Sequence, residues 1–370
     1  MKRLLLVGAG HAHLHVLRAL ARAPLRDVRV TLVNPSRRYH YSGMVPGYLQ
    51  GTYAEAELAI DLPPLCARAG AELWLGEAER VEASARRVTV GGDALQFDVL
   101  SLDVGAAPAG LDVPGVREHA HMLRPMSDAL ALRAAVDAQA QRAKRGEAPV
   151  RVTVVGGGAG AVEVALALHR RLRAQGAAPA VTVVEREEGI VPDYAPEARQ
   201  RLTSVLAARG VSVVARRAVT AVRPRGVLLD SGARRSSDVT AWVTGPSPPP
   251  LLARSDLPLR DGWFAVDATL RATNGAPVWG AGDCVTLADH PDLPKAGVYA
   301  VREAPLLAHN LLAALRGAAP RRYEPQRHFL SLLNTADGRA FYRWRDFAGR
   351  SRLAWLLKDR IDRRWVRRYQ

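Results

Sequence analysis

The sequence predicts an α/β fold that contains two similar units, each made of a strand, a glycine-rich turn and a helix. The first unit comprises the apolar segment 4–7, the turn 8–13 and the helix-periodic segment 14–20. The second comprises the valine-rich segment 151–155, the turn 156–161 and the segment 162–168. A pattern that recurs within one chain is stronger evidence than either copy alone. The repeat therefore predicts two domains of the same architecture.

Both turns have the glycine spacing of a dinucleotide-binding loop. Such a turn places the free N–H groups and the positive end of the following helix dipole where a pyrophosphate can bind. Gly8 permits the turn and Gly10 the close approach of the backbone, whereas His13 replaces the third glycine and predicts a wider gap between helix and strand. Gly156 and Gly158 play the same parts in the second unit. The two turns predict two Rossmann-like, three-layer dinucleotide-binding domains.

The second strand of each unit ends in a residue suited to a ribose. Segment 28–33 leads to Asn34, and segment 180–184 leads to Glu185. An acid at this position commonly binds a ribose hydroxyl, as in NAD-binding proteins, and Asn34 can also donate and accept. Arg186 can instead accept the 2′-phosphate of NADPH. The choice between NADH and NADPH stays open at this level.

Later segments return to the first unit. Segment 97–108 reads as a buried strand that ends in glycine and proline, and segment 277–284 reads as a strand that ends in a Gly-x-Gly-Asp turn. Asp283 suits a ribityl or ribose hydroxyl, and a helix predicted from Lys295 to Leu315 has an N-terminus that stabilises negative charge. A helix is also predicted over 127–145. Segment 39–48, rich in aromatics, glycine and proline, predicts a loop that is either functional or packs its own aromatics.

Composition limits the remaining classes of function. The chain has 370 residues and 48% hydrophobic content, enough for large buried cores. It has no apolar run near the ~18 residues that span a bilayer and no N-terminal signal segment, so we expect a cytoplasmic protein. Cys66 and Cys284 are isolated, which argues against disulfides and structural zinc. His11 and His15 are one helical turn apart but lack further ligands, so no metal site is expected.

The net charge of +16 is concentrated near the C-terminus. Residues 339–370 contain eleven Arg or Lys and three Asp. A basic helix is predicted there, with an apolar residue at every fourth position: Leu353, Leu357, Ile361, Trp365 and Tyr369. Such a helix either lies on an anionic membrane surface or docks onto its own domain or a partner subunit. Nucleic-acid binding is disfavoured because no recognition module accompanies the charge.

Taken together, four segments resemble the two-dinucleotide FAD/NAD(P) oxidoreductases of the pyridine nucleotide-disulfide oxidoreductase superfamily, typified by glutathione reductase. They are the turn 8–10, the segment 105–108, the turn 156–158 with Glu163, and the turn 280–283. Segments 41–47, 294–302 and 358–364 resemble a narrower group, the type II NADH-dehydrogenase-like proteins often fused to selenophosphate synthetase.

The resemblance implies a glutathione-reductase-like arrangement of domains. FAD would be held by a discontinuous domain of residues 1–120 and 252–325, NAD(P)H by residues 121–251, and residues 326–370 would form a basic C-terminal segment. The implied FAD-binding residues are Gly8, Gly10, His11, Asn34, Pro35, Arg38, Met44, Pro46, Ala78, Gly105, Gly282, Asp283, Lys295, Ala296 and Gly297. The implied residues for NADH or NADPH are Gly156, Gly158, Glu163, Glu185 and Gly245. Glu163, Lys295 and Pro46 are the candidate catalytic residues beside the reacting rings.

The resemblance also implies hydride transfer from nicotinamide C4 to flavin N5, followed by electron transfer to an acceptor such as a quinone. Segment 40–51 lacks the cysteine pair of the disulfide reductases, which excludes reduction of a disulfide substrate. Two alternatives stay open: a soluble NAD(P)H reductase of a small redox protein or selenium compound, and an FAD-binding interaction subunit. Candidate partners are a membrane, on whose inner face the protein would lie, and selenophosphate synthetase. The oligomeric state is left open.

Overall fold

The computed structural model describes residues 1–146, 148–345 and 347–370. The helices are α1 (His11–Arg22), α2 (Val45–Gln50), α3 (Glu55–Leu58), α4 (Leu62–Arg68), α5 (Val116–His119), α6 (Met126–Gly146), α7 (Ala159–Ala174), α8 (Pro196–Ala207), α9 (Pro250–Ala253), α10 (Gly297–Arg316) and α11 (Arg352–Arg367). Short 3₁₀ turns lie at Ser42–Met44 and Gly282–Cys284.

The strands of the first half are β1 (Lys2–Val7), β2 (Val28–Asn34), β3 (Arg38–His40), β4 (Ala59–Asp61), β5 (Ala71–Leu75), β6 (Ala78–Glu82), β7 (Arg87–Val90), β8 (Asp93–Gln96), β9 (Val99–Leu102), β10 (Ala107–Pro108), β11 (Val150–Val155) and β12 (Pro179–Val184). Those of the second half are β13 (Ser212–Val214), β14 (Val219–Arg223), β15 (Gly226–Leu229), β16 (Arg234–Ser236), β17 (Val239–Trp242), β18 (Pro246–Ser247), β19 (Leu259–Arg260), β20 (Trp263–Val266), β21 (Val278–Gly280), β22 (Val285–Leu287), β23 (Ser331–Asn334), β24 (Ala340–Trp344) and β25 (Phe347–Ser351).

One parallel sheet combines strands from distant parts of the chain. Its order is β21-β9-β1-β2-β5, so the edge strand β21 comes from beyond residue 277. The inner strands are continuous apolar runs because helices cover such a sheet on both faces, and α1 packs against α10. The carboxyl ends of β1, β9 and β21 consequently meet at one edge.

A second parallel sheet has the order β13-β12-β11-β17. Strand β11 pairs in register with β12 and with β17, and α7 crosses over from β11 to β12. The predicted α/β fold with two parallel Rossmann-like sheets is therefore confirmed.

The predicted loop over 39–48 is wrong in part. This segment contains the end of β3, a 3₁₀ turn and the start of α2, and β3 pairs antiparallel with β4. Pro46 lies in the first turn of α2, a position where its missing N–H costs nothing. The segment is held in place because α2 packs against α7, the helix that lies against the second parallel sheet.

The C-terminal segment joins both sheets' domains. Strands β23 to β25 form an antiparallel sheet beside the second unit, where Tyr194 Oη and Ser331 Oγ hydrogen-bond at 2.7 Å and Arg201 donates to the Ala348 carbonyl at 2.7 Å. Helix α11 then crosses to the first unit, where Tyr53 Oη donates to Asp359 at 2.8 Å. We call residues 326–370 the C-terminal strap.

Helix α11 does not present the single apolar stripe that the sequence suggested. Trp365 and Tyr369 are buried against the first unit, whereas Leu353, Leu357 and Ile361 are exposed, Leu353 by 77%. The helix therefore has two faces with apolar side chains: one is docked on the first unit and the other is exposed. No helix in the described ranges is long and apolar enough to cross a membrane.

Candidate functional site

The first glycine loop connects β1 to α1. Gly8 has a φ of +88°, and a Cβ atom there would collide with the backbone of Asp103. The loop amides bond within the protein: Gly8 N donates to the Val33 carbonyl at 2.9 Å, and Gly10 N donates to the Asp103 carbonyl at 3.1 Å. The loop is thus held tightly against the end of β9.

The side chain of Asp103 caps α1 from outside the helix. Its Oδ2 accepts hydrogen bonds from Ala12 N at 2.8 Å and from His13 N at 3.0 Å. These are two of the N–H groups that an α-helix leaves free at its start. Burial raises the pKa of Asp103 to about 7, although both N–H groups favour its charged form. We call the first glycine loop and its surroundings at the start of α1 the first site. A buried carboxyl group therefore lies within the first site.

His13, in place of the third glycine, fastens α1 to the sheet. Its Nδ1 lies 2.6 Å from the Gly8 carbonyl and must donate, so its Nε2 accepts from Ser101 Oγ at 2.8 Å. Burial lowers the pKa of His13 to about 4, so the ring is neutral. His13 fills the space between helix and strand with two hydrogen bonds.

Asn34, at the end of β2, also supports the first loop. Its Oδ1 accepts from Ala9 N at 3.0 Å, and its Nδ2 donates to the Ser36 carbonyl at 2.7 Å. Pro35 and Arg38 line a surface cleft beyond it, where Arg38 pairs with Asp61 at 2.9 Å. Ala78 begins β6, which pairs with β7 rather than with this sheet. The structure brings Asn34, Pro35 and Arg38 together and leaves Ala78 on a separate sheet.

Two further acids lie near Asp103. Gly282 has a φ of +74°, and its N–H donates to Glu303 Oε2 at 2.7 Å. Burial raises the pKa of Glu303 to about 7 and also raises the pKa of Asp283. Both acids interact electrostatically with Asp103. Asp283 was predicted from the sequence, whereas the roles of Asp103 and Glu303 were not.

Arg124 lies over this acidic group. Its Nη1 lies 3.5 Å from the position that a Cβ atom would have at residue 105, which is Gly105. Its positive charge acts to lower the pKa of Asp283 and of His11. Lys295 is also near Asp283, but its Nζ donates to the Val285 carbonyl and lies 4.5 Å from the Trp263 ring centre. Both cations therefore act on Asp283, and Lys295 also acts on Glu303.

An aromatic cluster encloses the start of α1. The Trp365 ring, from α11, stacks on Tyr41 with centroids 4.4 Å apart and lies 4.8 Å from His11. Tyr39 Oη lies 3.2 Å from His11 Nδ1. Burial lowers the pKa of His11 to about 4. Trp365 Nε1 is buried and has no hydrogen-bond partner among the described residues.

The start of α10 reaches the same place. Ala296 is the N-cap of α10. The next residue, Gly297, lies close to His11, because a Cβ atom built on Gly297 would be 3.6 Å from His11 Nε2. The structure therefore brings the predicted residues of the first loop, His11, Asp283 and Gly297 into one site.

The second glycine loop, between β11 and α7, is open by contrast. Gly156 has a φ of +110° and a Cβ there would collide with the Val243 carbonyl, but a Cβ at Gly158 would meet nothing within 4 Å. The N–H groups of residues 157–161 have no acceptor within the described part of the chain. Gly245 is exposed beside this loop, and its carbonyl accepts from Ala109 N at 2.9 Å. The loop thus offers free donors to an anionic group.

Glu185 lies directly beside the second loop. A Cβ at Gly157 would come within 2.6 Å of Glu185 Oε2, and Glu185 Oε1 accepts from Glu187 N at 2.9 Å. Arg186 points to solvent and pairs with Glu187 at 3.2 Å. The acid, and not the arginine, faces the glycine loop.

Glu163 lies between the two units in a buried ionic network. Its Oε1 accepts from Asn334 N at 2.7 Å, and burial raises its pKa to about 7 against the opposing charge of Lys358. Lys358 Nζ donates to Asp362 at 2.8 Å and to the Gly43 carbonyl at 3.2 Å. Burial acts to lower the pKa of Lys358, but Glu163 and Asp362 outweigh it and raise that pKa.

Met44 and Pro46 lie at the start of α2, next to Gly43, whose carbonyl accepts from Lys358. Met44 is fully buried, and Pro46 is buried in α2, which packs against α7. The structure places the elements that carry Pro46 and Glu163 next to each other. Lys358 and Asp362 lie in segment 358–364, whose resemblance to a narrower group was noted from the sequence. Their contacts with Glu163 and Tyr41 could not be predicted, because these partners lie roughly 200 and 320 residues away in the chain.

The possible metal ligands and the two cysteines lie as follows. Within the described ranges, no cluster of three or more His, Cys, Asp or Glu side chains is arranged to hold a metal ion. Cys66 and Cys284 are both buried and unpaired, and burial raises the pKa of each thiol. Neither forms a disulfide.

Comparisons with known proteins agree with this arrangement. The demethylphylloquinone reductase of Synechocystis is 24% identical over 82% of this chain and 77% of its own length. The type II NADH:quinone oxidoreductase of Staphylococcus aureus is 20% identical over 99% and 95% of the two chains. The structure of NDH2 from Plasmodium falciparum in complex with NADH superposes with a TM-score of 0.83 over 100% of this chain and 97% of that one, at 13% identity, and so shares the fold.

The family profile described as pyridine nucleotide-disulphide oxidoreductase matches residues 2–310, from the start of β1 into α10. Since this match includes both glycine loops and most of the chain, the chain belongs to the pyridine nucleotide-disulphide oxidoreductase family.

Proposed function

We propose that the chain is an FAD-dependent NAD(P)H dehydrogenase that passes electrons to a quinone. The observation that carries this proposal is the pair of unlike glycine loops, one enclosed and one with free N–H groups at residues 157–161. An enclosed loop suits a cofactor that stays bound, and an open loop suits a nucleotide that exchanges in each turnover. The names of the relatives from Synechocystis and Staphylococcus aureus support quinone as the acceptor.

The residues around the first loop fit FAD. The glycines allow close approach, Arg124 supplies a cation beside Gly105, and the buried Trp365 Nε1 is a donor without a partner. Gly8, Gly10 and His11 would hold the pyrophosphate, Asn34, Pro35, Arg38 and Ala78 the adenosine side, and Gly105, Gly282, Asp283, Lys295, Ala296 and Gly297 the ribityl and ring side. When bound, FAD accepts a hydride from the nicotinamide and releases electrons to the acceptor.

The residues around the second loop fit NADH. Gly156, Gly158 and Gly245 would face the pyrophosphate, and Glu185 would accept from a ribose 2′-hydroxyl. Because Glu185 faces the loop while Arg186 points to solvent, NADH is preferred over NADPH. Glu163 and Pro46 would border the nicotinamide, with Glu163 held by Asn334 and Lys358.

We also propose the domain division that these sites require. Residues 1–120 and 252–325 form the FAD-binding domain, and residues 121–251 form the NAD(P)H-binding domain. The five-stranded sheet supports the discontinuity because β21 pairs with β9.

Anaerobic reduction tests the proposal. Purified protein is expected to be yellow, and NADH is expected to bleach the flavin band near ~450 nm faster than NADPH does, because the flavin carries the chemistry. A quinone added next is expected to restore the colour. Bleaching by NADH without reoxidation by quinone would favour a soluble reductase of another acceptor. A yellow protein that NADH does not bleach would favour an interaction subunit.

The exposed face of α11 supports contact with an anionic bilayer. Leu353, Leu356, Leu357 and Ile361 are exposed on it, and Phe347, in the hairpin before α11, is 74% exposed. Basic residues follow along the helix at Arg360, Arg364 and Arg367. Such a surface places apolar side chains in the headgroup region and cations near anionic lipids. We infer that the protein lies on the inner face of the membrane, where it meets quinone.

Vesicle sedimentation tests this surface. The protein is expected to sediment with vesicles that contain phosphatidylglycerol and to remain in solution with phosphatidylcholine vesicles. Leu353→Ser with Leu357→Ser is expected to abolish sedimentation and spare bleaching by NADH, because both side chains point away from the site. Equal sedimentation of the variant and the parent would remove this face from the proposal. Selenophosphate synthetase stays a predicted partner, which co-elution of the two proteins would test.

A further inference from the structure

The carboxyl group of Asp103 lies between the two glycine turns that frame the first site. A Cβ at Gly10 would collide with this carboxyl, and a Cβ at Gly282 would come within 2.9 Å of its Oδ1. The other oxygen, Oδ2, is occupied by the N–H groups of Ala12 and His13. Oδ1 therefore lies beside both glycines and accepts no hydrogen bond from a described residue, so a phosphate bound at these turns would lie near it.

The surroundings of Asp103 are rich in charge. The titratable and charged groups that face it or its neighbouring acids are His11 and His13 on α1, Tyr39 on β3, Arg124, Asp283, Cys284, Lys295 and Glu303 on α10. The two histidines are neutral, because burial lowers the pKa of each to about 4. In the absence of a ligand, the three acids Asp103, Asp283 and Glu303 thus outnumber the two cations Arg124 and Lys295. A diphosphate adds further negative charge.

A protonated Asp103 resolves this conflict without loss of its helix contacts. Oδ2 can continue to accept from Ala12 and His13, while Oδ1 carries the proton on the side of the glycines and can donate to a phosphate oxygen. Hydrogen bonds to ionised oxygens are the stronger ones. The second loop has no such acid at its free N–H groups, and Glu185 lies beside Gly157 instead.

We propose that FAD binds with uptake of one proton by Asp103, so that the protein holds FAD more tightly in mildly acidic than in alkaline solution. This inference rests on the proposed identity of the cofactor. Burial raises the pKa of Asp103 in the free protein to about 7, and the nearby diphosphate raises that pKa further. The affinity of the protein for FAD is therefore highest below pH 7 and falls as the pH rises above 7.

Binding of FAD to the apoprotein at different pH values tests the proposal. The dissociation constant, followed by flavin fluorescence, is expected to rise by about fivefold or more between pH 6.5 and 8. Asp103→Asn keeps an oxygen for Ala12 and His13 but cannot ionise, so its dissociation constant is expected to be flat over this range. Glu303→Gln makes the same kind of change at the neighbouring acid and is expected to keep the slope.

Proton uptake by the unaltered chain gives a second measurement that does not depend on a variant folding. FAD mixed with apoprotein in weak buffer at pH 7.5 is expected to take up most of one proton, seen with a pH indicator. A flat dissociation constant or no uptake would overturn the proposal, and loss of the slope in Glu303→Gln alone would assign the proton to Glu303 instead. Tight, pH-dependent FAD binding without bleaching by NADH would leave this inference standing and reject the proposed dehydrogenase. A chain that binds no FAD at any pH would reject both.

Discussion

The two glycine loops share a sequence pattern and differ in their surroundings. The first is closed by side chains from far along the chain, namely Asp103 and Trp365, and most of its N–H groups already have acceptors. The second is open at Gly158, and no described residue accepts a hydrogen bond from the N–H groups of residues 157–161. A local motif therefore determines the turn, whereas distant segments determine whether the turn forms an enclosed site or an open one.

Matched alanine substitutions provide the strongest test of this contrast. Gly10→Ala places a Cβ on the Asp103 carboxyl, so we expect loss of bound FAD and a stability loss of about 1–3 kcal/mol from overpacking. Gly158→Ala meets no protein atom, so we expect unchanged stability and weaker NADH binding. Thermal unfolding and the flavin absorbance of purified protein provide the measurements. Equal destabilisation by the two changes would contradict the contrast.

Removal of the His13 side chain, which hydrogen-bonds α1 to the loop and the sheet, tests the first loop alone. His13→Ala leaves the Gly8 carbonyl and Ser101 Oγ without their buried partner, so we expect a loss of about 1–3 kcal/mol in the free energy of unfolding. His15→Ala, two residues along the same helix, removes a half-buried ring and is expected to cost less. Urea unfolding of both variants measures the difference. A similar cost for both would mean that His13 only fills space.

Substitution at the acid beside the second loop tests what that loop binds. Glu185→Ala removes the acceptor proposed for the ribose, so we expect the KM for NADH to rise about tenfold, as for the loss of one charged hydrogen bond. The KM for NADPH is expected to change less, because that nucleotide lacks the free 2′-hydroxyl. Steady-state reduction of a quinone with each nucleotide measures both values. Glu187→Ala, an exposed neighbour, serves as the control, and the same nucleotide preference in all three proteins would exclude Glu185 from the ribose.

The sequence predicted the features that depend on neighbouring residues. The strand–turn–helix units, Gly8, Gly156 and the residues at the strand ends follow from local spacing, because an apolar strand, a positive φ and a helix start each depend on a few adjacent positions. The α/β fold was predictable for the same reason. His13 was identified as unusual, although its two hydrogen bonds could not be foreseen.

The features that close the first site were not predictable in this way. Asp103 reaches α1 across 90 residues, and Trp365 reaches His11 across more than 350. The apolar spacing of α11 was visible, but the spacing alone cannot decide that Trp365 and Tyr369 turn inward while Leu353 turns outward. That outcome depends on the complementary surface of Tyr39, Tyr41 and His11, which exists only in the folded protein.

The strand order of the first sheet has a consequence for the order in which the protein is made. The second unit takes its four strands from one stretch of chain, residues 150–242, and can complete its sheet as soon as that stretch has left the ribosome. The first unit needs β21, and its site needs Trp365 from the C-terminal strap. The unit that is translated first is therefore the last to be completed, and a chain released early would have a complete second sheet beside an open first glycine loop.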